Sequence, residues 1–353
     1  MGSLLDKPVK EKGIETGGDE RMEWVTAEMQ GWRPDMEDEH IANSNVGEEM
    51  LGLPVVAFIA SLTVTVDPQV MFGMQARPKK ASFHRMDDLL REPANAKACV
   101  RVDLGTFAMR GTGALYGEGP HGKGGLSDVE QSEMKESFMK LQKLKQAEKG
   151  DEFVPDTVGC TAVCVVVRKQ DLAPMPQGDV ITANAGDSRA VMCRAGQALE
   201  LSYDHKPASE TEKSRIEAAG GTVEDNQGVA RVNGNLNLSR AIGDLEYKKR
   251  EDLPPQEQVI CSTPDVVIRE LTPEDEFIVL ACDGIWDVMS NQDICDFVKP
   301  RLEKGLEMKV ISEELLEHCC SEDPSKTQGL GTDNMTVVIV KLKESSTWSP
   351  ASA

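Results

Sequence analysis

Short runs dense in Val and Ile recur along the chain and alternate with stretches in which apolar residues return every three or four positions. The runs at 161–168, 180–183, 191–193, 277–281 and 335–341 are bounded by turn residues, which predicts buried strands. A further apolar run at 53–60 reads the same way. Between them, 127–148 opens with a Ser-x-x-Glu box and sets Met134, Phe138, Leu141 and Leu144 on one face, predicting an amphipathic helix. A second helix, 211–219, stops at Gly220-Gly221, where a left-handed cap is wanted. A third, 309–320, carries Val310, Leu315, Leu316 and Cys319. Patterns of this kind define an α+β class.

Carboxylates cluster where predicted strands end. Cys282-Asp283-Gly284-Ile285-Trp286-Asp287 closes the run 277–281, and Met36-Glu37-Asp38 follows Gly31-Trp32-Arg33. Asn184-Ala185-Gly186-Asp187 follows 180–183, and Gly331-Thr332-Asp333-Asn334 precedes 335–341. In a chain with 60 Asp and Glu, any one Asp-Gly pair is more often a turn than a ligand, so position and order must carry the argument. Acids brought to one cleft by different strands suit Mg²⁺ or Mn²⁺, which prefer oxygen ligands. Two such ions make hydrolysis of a phosphoryl group plausible, with Arg33 as a fork for phosphate oxygens.

The order of the motifs is similar to that of one family. Gly31-Trp32-Arg33-Pro34-Asp35-Met36-Glu37-Asp38-Glu39-His40, Gly159-Cys160-Thr161-Ala162 and Asn184-Ala185-Gly186-Asp187-Ser188-Arg189-Ala190 come first, then Asp204-His205-Lys206-Pro207 and Arg231-Val232-Asn233-Gly234. Ser239-Arg240-Ala241-Ile242-Gly243-Asp244, Asp283-Gly284-Ile285-Trp286-Asp287 and Gly331-Thr332-Asp333-Asn334 complete the set. Together they resemble the metal-dependent protein phosphatase 2C family, over about residues 22–60 and 126–342. The resemblance implies a four-layer α-β-β-α sandwich of two mostly antiparallel sheets flanked by helix pairs. It also implies a serine/threonine phosphatase acting on phosphorylated proteins with two Mg²⁺ or Mn²⁺ ions. By motif position, Arg33 resembles the phosphate-binding arginine, Glu37 a ligand of one metal, and Asp283 and Asp333 ligands of the other. Asp38 resembles an acid behind the ligands. Asp187 resembles an acid used by some members for a weaker third metal, with Asp287 near it.

One departure stands against these matches. The family places Asp-Gly-His-Gly-Gly after an apolar strand, its aspartate bridging both metals, whereas here 53–60 is followed by Ser61-Leu62-Thr63-Val64-Thr65-Val66. Asp67 precedes Pro68 and no Gly-His, and His121-Gly122 has no aspartate before it, so both read as loop residues. His40 reads as a structural histidine. The stretch 61–125 carries a charge of +3 against −24 for the rest, shows no sustained periodicity, and ends in a glycine-dense run that reads as a mobile loop. Alternative splicing, intron sequence read as coding, or divergence to a non-catalytic protein would each produce this pattern. The alternative function is therefore a catalytically impaired pseudophosphatase that binds phosphorylated partners through Arg33. The expected organisation is a flexible segment at 1–21, a catalytic domain at 22–342 with 61–125 replaced or inserted, and a tail at 343–353.

Net charge of −21 and a pI near 4.7 argue against nucleic-acid binding and against anionic membranes. With no apolar run of membrane-spanning length and no secretory signal, a monomer in the cytosol or nucleus is expected. Gly2 offers a myristoylation site, but Asp6 stands where Ser or Thr is wanted. The nine cysteines lack CxxC pairing and read as reduced core thiols. Cys295 and Arg301 have the spacing of thiol phosphatases, but no glycine between them could form a phosphate cradle. Gly117-x-Gly119-x-x-Gly122 matches a dinucleotide fingerprint only in letters, because no strong strand precedes it.

Overall fold

The computed structural model describes residues 4–19, 22–38, 40, 42, 84, 87, 159–167, 180–226 and 228–343. Its strands are β1 (Val9–Gly18), β2 (Met22–Gly31), β3 (Gly159–Cys160), β4 (Ala162–Val167), β5 (Val180–Ala185), β6 (Arg189–Arg194) and β7 (Gln197–Glu200). After helix α1 (Glu210–Ala218) come β8 (Val223–Asn226), β9 (Val229–Val232), β10 (Ile242–Gly243), β11 (Asp265–Arg269) and β12 (Asp275–Ala281). Helices α2 (Asp283–Trp286), α3 (Asn291–Glu303) and α4 (Met308–Cys319) then lead to β13 (Met335–Leu342). One antiparallel sheet runs β1-β2-β13-β12-β6-β7, and a second runs β11-β5-β4.

The unbroken apolar runs follow from burial on both faces of the larger sheet. In β12, Phe277, Val279 and Ala281 join Ile294, Val298, Ile311 and Leu315 of α3 and α4. The alternate residues Ile278 and Leu280 join Val163, Val165 and Val180 of the second sheet, together with Met192, Val338 and Val340. Each such side chain, fully removed from water, contributes about 1.5–3 kcal/mol before the cost of ordering it. The protein is thus an α+β sandwich of antiparallel sheets. Among the described residues, helix, sheet and second sheet stack in that order; the helix expected at 127–148 and the strand at 53–60 lie outside the described residues.

Three features were not anticipated in full. Residues 9–18, expected within a flexible segment, form β1 and pair with β2 along their length. Helix α3, a helix around Cys295 whose bounds the sequence left open, starts at a capping box between Ser290 and Asp293, has a polar first turn and holds Pro300 inside it. From the stretch expected to lack periodicity, His84 and Asp87 are helical. Asp87 accepts from Lys248 Nζ at 2.7 Å and from the Gly243 amide at 2.9 Å. His84 meets Ser262 Oγ at 3.2 Å and Thr263 Oγ1 at 3.1 Å, so these two residues of 61–125 contact the fold.

Candidate active site

Register brings the acids together. Ala281, the last residue of β12, lies opposite Arg189, the first of β6, and opposite Val337 near the start of β13. Met335 in turn lies opposite Met29, near the end of β2. Antiparallel pairing therefore puts Asp283, Asp187, Asp333 and the loop after Gly31 at one end of the same sheet.

Local contacts fix each group. The start of α2 packs so closely on the Asn334 carbonyl that only Gly284 fits there. Trp286 Nε1 donates to Ala281 O at 2.8 Å, folding the turn back on its strand. Gly31 has φ of 66° and would drive a Cβ into the Asp333 carbonyl. Asn334 clamps the loop that follows: its amide donates to Gln30 O at 2.8 Å and Asp35 O at 3.0 Å, and its Oδ1 accepts from the Glu37 amide at 2.7 Å. Asp38 is buried and accepts from Thr336 Oγ1 at 3.0 Å.

Two cations reach into this acidic corner. Arg33 Nε sits 2.9 Å from Asp333 Oδ1, with Nη2 3.8 Å from Glu37 Oε2. Lys206 Nζ donates to Asp187 Oδ2 at 2.6 Å, and Asp187 is buried. Burial pushes the Asp283 carboxyl well above its usual range, and the charges of Asp187, Asp333 and Asp287 push the same way, with Lys206 opposing. Partial burial raises Asp287 as well, against Lys206 and together with Asp187 and Asp333. Asp283 and Asp287 thus each feel the negative charge of Asp187 and Asp333.

The donors are all carboxylate oxygens crowded by like charge, and this chemistry fits a hard divalent cation. Among the described residues no three of them already converge as a closed coordination group. Arg33 and Lys206 instead hold Asp333 and Asp187.

The Asp204-His205-Lys206-Pro207 and Ser239-to-Asp244 motifs carry no role legible in the sequence, and their contacts supply one. His205 Nδ1 accepts from the Gly186 amide at 3.1 Å, which leaves Nε2–H to donate to Asp265 Oδ2 at 3.1 Å. Arg189 forks onto Asp204 with two bonds of 2.8 Å and lies 5.1 Å above the Trp286 ring. Buried Glu212 of α1, which drew no attention in the sequence, accepts from Arg240, Arg215 and Ser239. His40 lies 3.3 Å from Glu28 on β2. Cys295 is buried inside α3 and its thiol is pushed up, chiefly by Cys193 and by burial, so it is no thiolate nucleophile.

A family model described as protein phosphatase 2C matches residues 120–327. A protein of Oryza sativa subsp. japonica, named probable protein phosphatase 2C 11, is 36% identical over 98% of this chain and 91% of its own. A probable protein phosphatase 2C of Caenorhabditis elegans is 38% identical over 97% of this chain and 80% of its own. The crystal structure of a phosphatase from a pathogenic strain of Toxoplasma gondii superposes with a TM-score of 0.54 at 21% identity, covering 95% and 96% of the two chains. That likeness confirms the sandwich fold. The chain belongs to the protein phosphatase 2C family.

Proposed function

We propose that the chain is a protein serine/threonine phosphatase in which the end of the larger sheet is the reaction site. The observation that carries this reading is the position of Arg33, whose guanidinium lies beside Asp333 and Glu37 at the mouth of the aspartate cluster. A fork there can take two oxygens of a phosphoserine or phosphothreonine group. Asp283 and Asp333 would hold one Mg²⁺ or Mn²⁺ and Glu37 a second. Bound there, such ions acidify water and offset charge on the phosphoryl oxygens. Asp38 receives the Thr336 hydroxyl and steadies the loop that carries Glu37. Asn334 fixes that loop at its backbone.

The reaction is direct displacement: a water oxygen bonds to phosphorus as the bond to the serine or threonine oxygen breaks, and that oxygen leaves with a proton. No side chain is phosphorylated, so the cysteines are dispensable. The test is phosphate release from a phosphothreonine peptide by the full chain. Release should require added Mn²⁺ or Mg²⁺, stop on chelation and survive thiol alkylation. Loss on alkylation, or persistence after chelation, would overturn the reading.

The missing Asp-Gly-His-Gly-Gly motif favours a second reading, a pseudophosphatase that binds phosphorylated partners through Arg33. Phosphopeptide affinity without phosphate release, in a protein that melts cooperatively, would establish it. Among the described residues no helix is long and apolar enough to cross a membrane.

A further inference from the structure

Two side chains hold the main chain around Arg33. Gly31 turns the chain out of β2 with φ of 66°, and Pro34 biases Arg33 toward extended backbone. Between them Trp32 is only 9% exposed and joins Met29, Cys320 and Met335 in the core. Its indole Nε1–H donates to the Ser321 carbonyl at 2.8 Å in a buried bond, and its own carbonyl accepts from the Leu5 amide at 2.9 Å. Gln30 reaches past the turn: its Nε2 donates to Arg33 O at 2.9 Å and to Pro34 O at 2.8 Å.

Ser321 anchors more than the indole. Its amide donates to Gly331 O at 2.8 Å, and Gly331, with φ of 70°, lies so close to the Cys319 carbonyl that a Cβ would not fit. Gly331 stands two residues before Asp333. One buried residue just past α4 therefore ties down both the residue before the arginine and the loop that carries its carboxylate partner. The Arg33–Asp333 bond of 2.9 Å closes this circuit. An indole rotated away from Ser321 would leave a buried carbonyl without its donor, so the ring is held in one orientation.

Arg33 itself is a long side chain and a third exposed, so its aim depends on the backbone beneath it. Its fork takes two phosphate oxygens only from a fixed base. We propose that Trp32 is the positioning residue for Arg33, with Gln30 as second anchor: neither touches phosphate, and together they aim the guanidinium at the place beside Asp333 and Glu37. The proposal rests on the proposed function only in taking Arg33 as the partner of a phosphate group, which the phosphatase and the phosphopeptide-binding readings share. Its readout is binding, so loss of phosphate release would leave it standing.

The experiment measures, by calorimetry on the full chain with Mg²⁺ present, binding of a phosphonate analogue of a phosphothreonine peptide, whose C–P bond is not hydrolysed. Trp32→Phe keeps a ring in the core and removes the donor, and should weaken binding by on the order of tenfold. Val298→Ala, a truncation elsewhere in the same core, should lower the melting temperature at least as far and leave affinity within about twofold of wild type. In an Arg33→Lys background the Trp32 change should add less than about twofold, because the fork it positions is gone.

Trp32→Phe that binds like wild type, beside an Arg33→Lys that binds weakly, would overturn the proposal alone. Arg33→Lys that binds like wild type would take Arg33 off the phosphate, and the proposal would fall with that reading. A full Trp32 effect in the Arg33→Lys background, or an equal loss in Val298→Ala, would mark Trp32 as structural only. Should Trp32→Phe fail to fold, Gln30→Met removes the second anchor at a half-buried position. Affinity lost only where Arg33 is present supports the proposal; unchanged affinity, or a loss that persists in Arg33→Lys, ends it.

Discussion

Arg33 donates from Nε to Asp333 Oδ1 at 2.9 Å, so the guanidinium expected on phosphate leans on a carboxylate expected on metal. Both side chains are more than a third exposed, and ion pairs of that kind are worth at most about 1 kcal/mol. The pair can therefore open for substrate at little cost. Arg33→Lys keeps the charge but loses the planar fork. It should lower kcat/KM by about 10²-fold or more while leaving the melting temperature within a degree or two of wild type. Steady-state kinetics beside a thermal melt checks both; unchanged kinetics would remove Arg33 from the phosphate.

Glu212 should be the opposite case, a charge whose loss is felt in stability. Burial pushes its carboxyl up, but hydrogen bonds and charge from Arg240 and Arg215, with the Ser239 hydroxyl, pull it down to about 2. A depressed folded value means the stabilisation is fully present above the unfolded value near 4.5 and is lost as pH falls toward 2. The linked loss is about 3 kcal/mol. Glu212→Gln leaves Arg240 and Arg215 poorly compensated and should cost about 3–5 kcal/mol at pH 7. Urea midpoints between pH 3 and 7 should show the variant's acid slope flattened.

Asp244 carries the reverse sign. Burial raises its carboxyl to about 6, with Lys248 opposing and Glu246 and Asp87 adding to the rise. A raised folded value means the contribution is full below the unfolded value near 3.8 and is lost as pH climbs through about 6. Asp244 also sits at φ of 48°, a left-handed position that asparagine tolerates. Asp244→Asn should therefore fold and gain on wild type as pH rises from 4 to 7, by up to about 3 kcal/mol. Denaturation curves at the two ends of that range decide it; a constant difference would show that Asp244 is not the titrating group.

Gly284 offers a purely steric test. A methyl group there would meet the backbone carbonyl of Asn334, which cannot swing away as a side-chain end could. Gly284→Ala must push the start of α2 off the entrance to β13, displacing Asp283 from Asp333. Overpacking of this order costs about 1–3 kcal/mol. Activity and Mn²⁺ affinity should fall further than the melting temperature does, and equal preservation of all three would show that the contact is slack.

Much of the site was legible because its chemistry sits on sequence punctuation. Asp283, Asp187 and Asp333 each adjoin an apolar run, and the strand starts at 180 and 335 and the strand end at 281 agree with those observed. What could not be read was the register that brings those ends together, since pairing of β12 with β6 and β13 joins residues far apart in the chain. Lys206 and Glu212 were opaque for a related reason. A lysine or glutamate in a polar stretch looks like solvated surface until Asp187 or Arg240 is placed beside it. The strand at 9–18 escaped notice because its side chains are mostly exposed, leaving little hydrophobic alternation to find.

The missing motif gives the sharpest trial of the site as a whole. Glu37, Asp283 and Asp333 supply carboxylates from three separate segments, but among the described residues no three such groups converge on one position. If the bridging aspartate is all the chain lacks, replacing Ser61-Leu62-Thr63-Val64-Thr65 with Asp-Gly-His-Gly-Gly should raise Mn²⁺-dependent phosphate release by several orders of magnitude, because electrostatic stabilisation of the transferring group is usually the largest catalytic contribution. The same graft in an Asp283→Asn background should stay near the starting rate, since the restored aspartate would have no partner across the metal. A graft that folds, binds Mn²⁺ more tightly and still releases no phosphate would place the defect elsewhere. The phosphopeptide-binding reading through Arg33 would then take precedence.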